Sequence, residues 1–362
     1  MVRIGSITLN APFFQAGLAG YSDTAMRLVA RRHGAPYCIT EALLDQFLIA
    51  GGKGLKAAEL DDADHPIAGQ LMGSHPAEIA LGAKVLLKLG YDVIDINLAC
   101  PVKKIRKRSR GGHLLQEPDE AIAILDAVRQ AVGDAAPCTV KLRRGTDDTA
   151  QAEAHFHRIF QKVIELGYAG AVVHGRTVEQ KYIGPSRWDF LRKLTAQYGQ
   201  TPDFVIGGSG DIWTAPDIFA MLERTGVKLV SVARGCIGNP WIFEQARAWM
   251  AGDTDAVTRP PTIAQQRQVL REHFDLSVRV HGEQQAGRLM RKFGIKFSRH
   301  HPQGDEVARQ FIAVHTIGEW QAVLERFYTQ DGPGVVPAQD NEPAVEESCE
   351  IPESELATDG RR

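Results

Sequence analysis

A parallel (β/α)8 barrel followed by a small all-helical domain is the fold this sequence predicts, on three observations. Eight short apolar runs recur between residues 10 and 240, stretches with helical spacing separate them, and strand signals stop after Trp241-Ile242-Phe243. Apolar runs without polar alternation suit strands buried on both faces, and helices between such strands make the sheet parallel. Eight such units close a barrel of about 250 residues. A doubly wound sheet is the alternative, but it opens on G-x-G-x-x-G, whereas the first strand here ends in Gly17-Leu18-Ala19-Gly20.

In chain order, the strands are expected at Phe13–Ala16, Tyr37–Thr40, Ile67–Met72, Val93–Leu98, Cys138–Leu142, Ala169–Val173, Phe204–Ile206 and Leu229–Ala233. Helical spacing marks Glu78–Leu89, Pro118–Val132, Ala152–Leu166 and Ala215–Leu222. Ser74-His75-Pro76 and Glu117-Pro118-Asp119 are helix starts, since proline fits the first turn. The barrel domain spans 1–250, and Arg259-Pro260-Pro261 forms a linker. The helical domain, 260–330, carries Ile263–Val280, Gln284–Phe297, Glu306–Ala313 and Glu319–Tyr328.

Residues 331–362 hold nine acids, two bases, four prolines and no aromatic residue, which reads as a disordered acidic tail. The whole chain of 362 residues has a formal net charge of −2, yet outside the tail 40 bases face 35 acids. Five cysteines (38, 100, 138, 236, 349) without a CxxC pair exclude a disulfide scaffold and disfavour a zinc ribbon. No apolar run reaches membrane-span length and no signal pattern opens the chain, so a cytoplasmic protein is expected. A monomer with no metal is the default.

Barrel active sites lie at the C-terminal ends of the strands. That rule selects Gly17-Leu18-Ala19, Glu41, Gln70, Asn97 to Pro101, Lys141 with Arg143, His174 to Thr177, Gly207 to Asp211, and Ala233-Arg234-Gly235. Loops after strands seven and eight often bind phosphate; the glycines of Gly207-Gly208-Ser209-Gly210 let backbone N–H groups approach an anion such as flavin mononucleotide (FMN), and Arg234 adds a charge, though turn glycines alone would read the same. Lys141 has two readings: a Schiff-base lysine, or a cation that, with His174, hydrogen-bonds the polar edge of a flavin. Cys100 ends a buried strand ahead of a proline. Its thiol is either a general acid, mostly protonated near pH 7, or a small buried hydrophobe.

Lys103, Lys104, Arg106 and Lys107 open a basic run just after Cys100. In the helical domain Arg288, Lys292, Lys296 and Arg299 fall on one helix face, with Arg291 beside them. Two basic surfaces on two domains suit a polyanion, and RNA is the obvious candidate.

Gln15–Asp23, Thr40-Glu41, Gln70–Gly73, Asp95–Lys104, Val140–Gly145, His174–Thr177, Gly210–Ile212 and Arg234–Phe243 together resemble the tRNA-dihydrouridine synthases, most closely the bacterial B-type branch. The resemblance covers about 1–330 and rests most on Asn97-x-x-Cys100-Pro101 and His174-Gly-Arg-Thr. It implies an FMN-binding barrel with a tRNA-gripping helical domain, NADPH (or NADH) as reductant, and reduction of C5–C6 of a D-loop uridine. It further implies that Cys100 protonates C5. Gly17, Leu18, Ala19, Gln70, Lys141 and His174 would contact the flavin ring. Ser209, Gly210, Asp211, Ala233, Arg234 and Gly235 would contact the ribityl phosphate. Asn97 would face the base, and Arg176 and the basic residues above would contact RNA. Gly17-Leu18 stand where the family has Pro-Met, Ala99 replaces Gly, Ser209 replaces Asn, and Phe293 replaces His. Two other functions compete: a flavin reductase of a free pyrimidine or enone, and a catalytically silent tRNA-binding protein.

Overall fold

The computed structural model describes residues 1–101 and 111–337. Eleven strands are seen among them. β1 (Val2–Ile4) and β2 (Ile7–Leu9) form an antiparallel hairpin ahead of the barrel. Eight strands then close a parallel barrel: β3 (Phe13–Gln15), β4 (Cys38–Ile39), β6 (Ile67–Met72), β7 (Val93–Leu98), β8 (Cys138–Arg143), β9 (Gly170–His174), β10 (Val205–Ser209) and β11 (Leu229–Val232). Closure comes from pairing of β11 with β3 and of β4 with β6, and a two-residue β5 (Leu43–Leu44) extends alongside β6.

Side chains two apart on a strand face the same way. One set packs outward on the surrounding helices: Phe13, Cys38, Ile67, Ile94, Val140, Val173 and Val230 all join the large core that includes helix residues such as Leu28, Leu86, Ile124 and Phe160. The other set points inward. At the strands' N-terminal ends Phe14, Ile39, Ala68, Val93, Val172 and Leu229 pack into a separate apolar cluster, which Ile4 and Leu9 of the hairpin plug. The hairpin was not anticipated, because strands this short carry little pattern.

Two boundaries differ from the sequence reading. Strand seven was expected to stop at Ile206 and leave Gly207-Gly208-Ser209 as loop; β10 runs on through Ser209. Glycine is a poor strand former in general, but here the helix Ala215–Thr225 lies so close that a Cβ at Gly208 would sit 2.6 Å from Met221 Sδ. The tail was expected from Asp331; instead 331–337 runs against the helical unit. Ile263 N donates to Gly332 O, and Val335 N donates to His300 O at 2.9 Å. The remainder of the tail, 338–362, lies outside the described residues.

The helical unit contains Ile263–His281, Glu283–Phe297, Gly304–Ile312 and Ile317–Phe327. Thr262 and Thr316 each close a capping box at a helix start. The unit sits on the barrel through Arg32–Glu272 (2.6 Å), Arg279–Asp61 (2.7 Å) and His281–Asp23 (2.8 Å), and through Tyr21 edge-on to Phe293. Among the described residues no helix is long and apolar enough to cross a membrane.

Candidate active site

The polar inward positions collect at the strands' C-terminal ends around a cavity of about 290 Å³. It is lined by Gly17, Leu18, Ala19, Gln70, Asn97, Cys100, Lys141, His174, Ser209, Gly210, Asp211, Ala233 and Arg234 from the barrel. Lys296 and Arg299 of the helical unit reach the same cavity.

The floor of the cavity is a hydrogen-bonded polar layer. Gln70, Asp95 and Thr139 lie side by side in register on β6, β7 and β8. Asp95 accepts from Thr139 Oγ1 at 2.6 Å and from Gln70 Nε2 at 2.8 Å. Gln70 Oε1 accepts from Asn97 Nδ2 at 2.7 Å. Asn97 Oδ1 accepts from the backbone N–H of Ala99 (3.0 Å) and Cys100 (3.1 Å). Burial raises the Asp95 pKa, because a carboxylate loses its water there.

Two nitrogen bases face the cavity in uncharged or readily discharged form. Burial, reinforced by Arg143, brings Lys141 down to about 7. Burial, then the charges of Arg143, Lys141, Arg176 and Arg234, hold His174 well below its ordinary value. The Arg176 backbone N–H donates to His174 Nδ1 at 3.1 Å, so the neutral ring carries its proton on Nε2.

Arg234 is stacked between two rings, 4.7 Å from the Tyr182 centroid and 4.6 Å from that of Trp213. Arg143 is buried and braces the loops: its Nε donates to Ala99 O at 2.8 Å, and Nη1 donates to Thr177 O and Lys181 O, each at 2.7 Å. The turn after β10 needs glycine. Gly210 has φ +112°, and a Cβ there would collide with Ser186 Oγ.

Several expected contacts fall elsewhere. Arg176, expected at the substrate, is 3% exposed and does not line the cavity; its guanidinium is bound to Asp211 (2.7 Å) and to Gly184 O. That pairing offsets the Asp211 charge in a loop otherwise suited to an anion. Gly235 does not line the cavity, and a Cβ there would collide with Ile212 O. The basic helix face is divided. Arg288 and Arg291 are exposed, whereas Lys292 Nζ donates to Gly20 O, 4.9 Å above the Tyr21 ring. The helix ends at Phe297, so Arg299 follows it in a short 3₁₀ turn. Lys103, Lys104, Arg106 and Lys107 lie outside the described residues. Beside Lys292, Glu41 accepts from Gly20 N at 2.8 Å and is raised to about 7 by burial.

Sequence reasoning missed Tyr182, Trp213 and Ser231 as cavity residues, and gave Asp95 no role of its own. Tyr182 and Trp213 lie beyond the strand ends, deep in their loops. Ser231 and Asp95 sit inside strands but on the inward-facing register, a signal that was available.

Fold and site together define a TIM-barrel enzyme whose strand ends enclose a polar cavity lined by basic side chains, with a thiol in its wall. The dihydrouridine synthase (Dus) family model matches residues 14–330, and the chain belongs to that family of oxidoreductases. It is 31% identical over 328 residues to tRNA-dihydrouridine synthase B of Xanthomonas campestris pv. campestris, covering 90% of this chain and 95% of that one. It is 30% identical over 333 residues to a probable tRNA-dihydrouridine synthase of Treponema pallidum, covering 89% and 95%. Among solved structures, histamine dehydrogenase from Rhizobium sp. 4-9 superposes with a TM-score of 0.54 at 15% identity. That match covers 76% of this chain and 50% of the other, and it shows the barrel fold alone.

Proposed function

We propose that this protein is an FMN-dependent tRNA-dihydrouridine synthase that uses NADPH to saturate the C5–C6 bond of a D-loop uridine, with Cys100 as proton donor. The observation that carries this reading is that Cys100 shares one cavity with Lys141, His174 and Arg234, in a chain of this family.

The residues present fit a flavin nucleotide. Ser231 Oγ, buried in the cavity wall, has no hydrogen-bond partner among the described residues. His174 offers an N–H donor, and Lys141 gains charge readily when an anion arrives. Arg234, over two rings, would bring its charge to a phosphate held near the Gly210 turn. When bound, the flavin supplies hydride to C6 of the uridine. Cys100 holds the proton that C5 must receive, and the resulting thiolate recovers its proton from water. Asn97, with both amide groups engaged, offers a fixed polar edge beside the thiol. A uridine stacked in RNA cannot bring its C5–C6 bond to a cavity inside the barrel, so the base must be extruded at a cost of about a few kcal/mol. Phosphate contacts from Lys296, Arg299 and the exposed Arg288 and Arg291 would offset that cost.

The test is direct. Purified protein should show flavin absorbance released as FMN, and should convert uridine to dihydrouridine in unmodified tRNA with NADPH, read by mass spectrometry of nucleosides. A colourless protein that FMN cannot reconstitute, or turnover of free uridine without RNA, would overturn the proposal.

A further inference from the structure

We infer that Asp95 is a positioning residue for Cys100, acting through the side-chain amides of Gln70 and Asn97. The inference rests on the reading of Cys100 as proton donor.

Asp95 lies on β7 with its side chain inside the barrel, and 1% of it is exposed. Among the described residues its hydrogen-bond partners are two neutral donors, Thr139 and Gln70, and the charge of Lys141 on β8 acts on it through space. Burying a carboxylate without a salt bridge is costly, and an apolar residue would fill the space more cheaply. Something other than packing therefore accounts for an acid at this position.

The direction of the hydrogen bonds supplies it. Asp95 accepts from the NH₂ of Gln70, which turns the Gln70 carbonyl oxygen toward Asn97. Asn97 must then give its NH₂ to Gln70, which leaves its carbonyl oxygen for the N–H groups of Ala99 and Cys100. Each amide is oriented by the one before it, and the first is oriented by the carboxylate. Arg143 holds the same turn from the other side through Ala99 O. The loop that presents the thiol is thus gripped at N–H and C=O, and one of the two grips begins at Asp95.

Thr139 matters to the test because its hydroxyl can donate or accept. With Asp95→Asn, Thr139 can turn to accept from the new NH₂, and the amide oxygen still faces Gln70. Asp95→Leu removes the acceptor altogether.

The experiment uses the full-length, flavin-loaded enzyme, with reduction by NADPH and reoxidation by unmodified tRNA followed separately by flavin absorbance. Alkylation of Cys100 by iodoacetamide is followed by peptide mass spectrometry in the same variants. Asp95→Leu should slow reoxidation by tRNA about tenfold or more as a charge-assisted hydrogen bond is lost, well beyond any effect on flavin affinity or on reduction by NADPH, and should alter the alkylation rate of Cys100. Asp95→Asn should restore both readouts. If Asp95→Leu does not fold, Asp95→Ala carries the same test, since it removes the acceptor without adding bulk. Equal slowing of both half-reactions, unchanged Cys100 alkylation, or an Asn variant as impaired as Leu would overturn the inference. Cys100→Ala runs in parallel: if it leaves reoxidation unaltered, the proton-donor reading itself fails, whatever Asp95 does.

Discussion

The two ends of the barrel interior are built from the same strands and behave oppositely. At the floor, Val93, Val172 and Leu229 pack against Phe14 and the hairpin residues Ile4 and Leu9. Two residues further along β7, β9 and β11 stand Asp95, His174 and Ser231, and each is polar. One inward step of about 7 Å thus takes a strand from stability to chemistry. The floor excludes water and gains from burial. The mouth is more open, with Asn97, Cys100, Lys141 and His174 half-buried, yet dry enough that its polar groups are driven from their ordinary ionisation: Lys141 down, His174 further down, Asp95 up. Strand geometry lets one element carry both tasks without conflict.

Substitutions should separate the two ends. The largest effect belongs to the mouth: Cys100→Ala should cut dihydrouridine formation roughly 10²–10⁴-fold, the range for loss of a general acid, while thermal unfolding stays as in the wild type. At the floor the pattern should invert. Phe14→Ala should cost about 3–5 kcal/mol of stability in denaturant titration, with turnover retained in the molecules that stay folded. A drop in turnover for folded Phe14→Ala would show that the ends are mechanically coupled.

A smaller effect concerns Lys141. In the free fold it titrates near 7, against about 10.4 in an unfolded chain. Between those values the unfolded chain holds the extra proton, so the free enzyme gains stability as pH rises. A bound anion favours the charged lysine, so FMN binding takes up a proton above pH 7. Affinity should then weaken as pH climbs, by up to about tenfold per unit, and Lys141→Met should flatten that dependence in fluorescence titrations. The smallest effect lies outside the barrel. Arg288→Ala and Arg291→Ala should each lower the salt slope of tRNA binding by about one unit, with turnover at saturating tRNA unchanged.

Much of this is legible in the sequence. The strand-end rule led to Lys141, His174 and Arg234 because a buried parallel strand announces where it stops. Errors came where local pattern and tertiary packing disagree. Gly207-Gly208 reads as loop by composition, but close approach of a helix makes glycine the residue that fits a strand there. Asp331 to Pro337 reads as tail by charge and proline, yet backbone hydrogen bonds to Ile263 and His300 hold it in place.

Two pairs of residues show where sequence stops. Arg176 and Arg234 both follow barrel strands, yet one is locked to Asp211 and the other is stacked over the cavity. Lys292 and Lys296 are one helical turn apart, yet one is docked on Gly20 and the other lines the cavity. By itself the sequence determined the barrel, the helical unit, and which strands end in chemistry, because periodicity and burial are written along a single element. Which cation meets a ligand and which meets a carboxylate was decided only by the tertiary structure, because that depends on what another element places opposite.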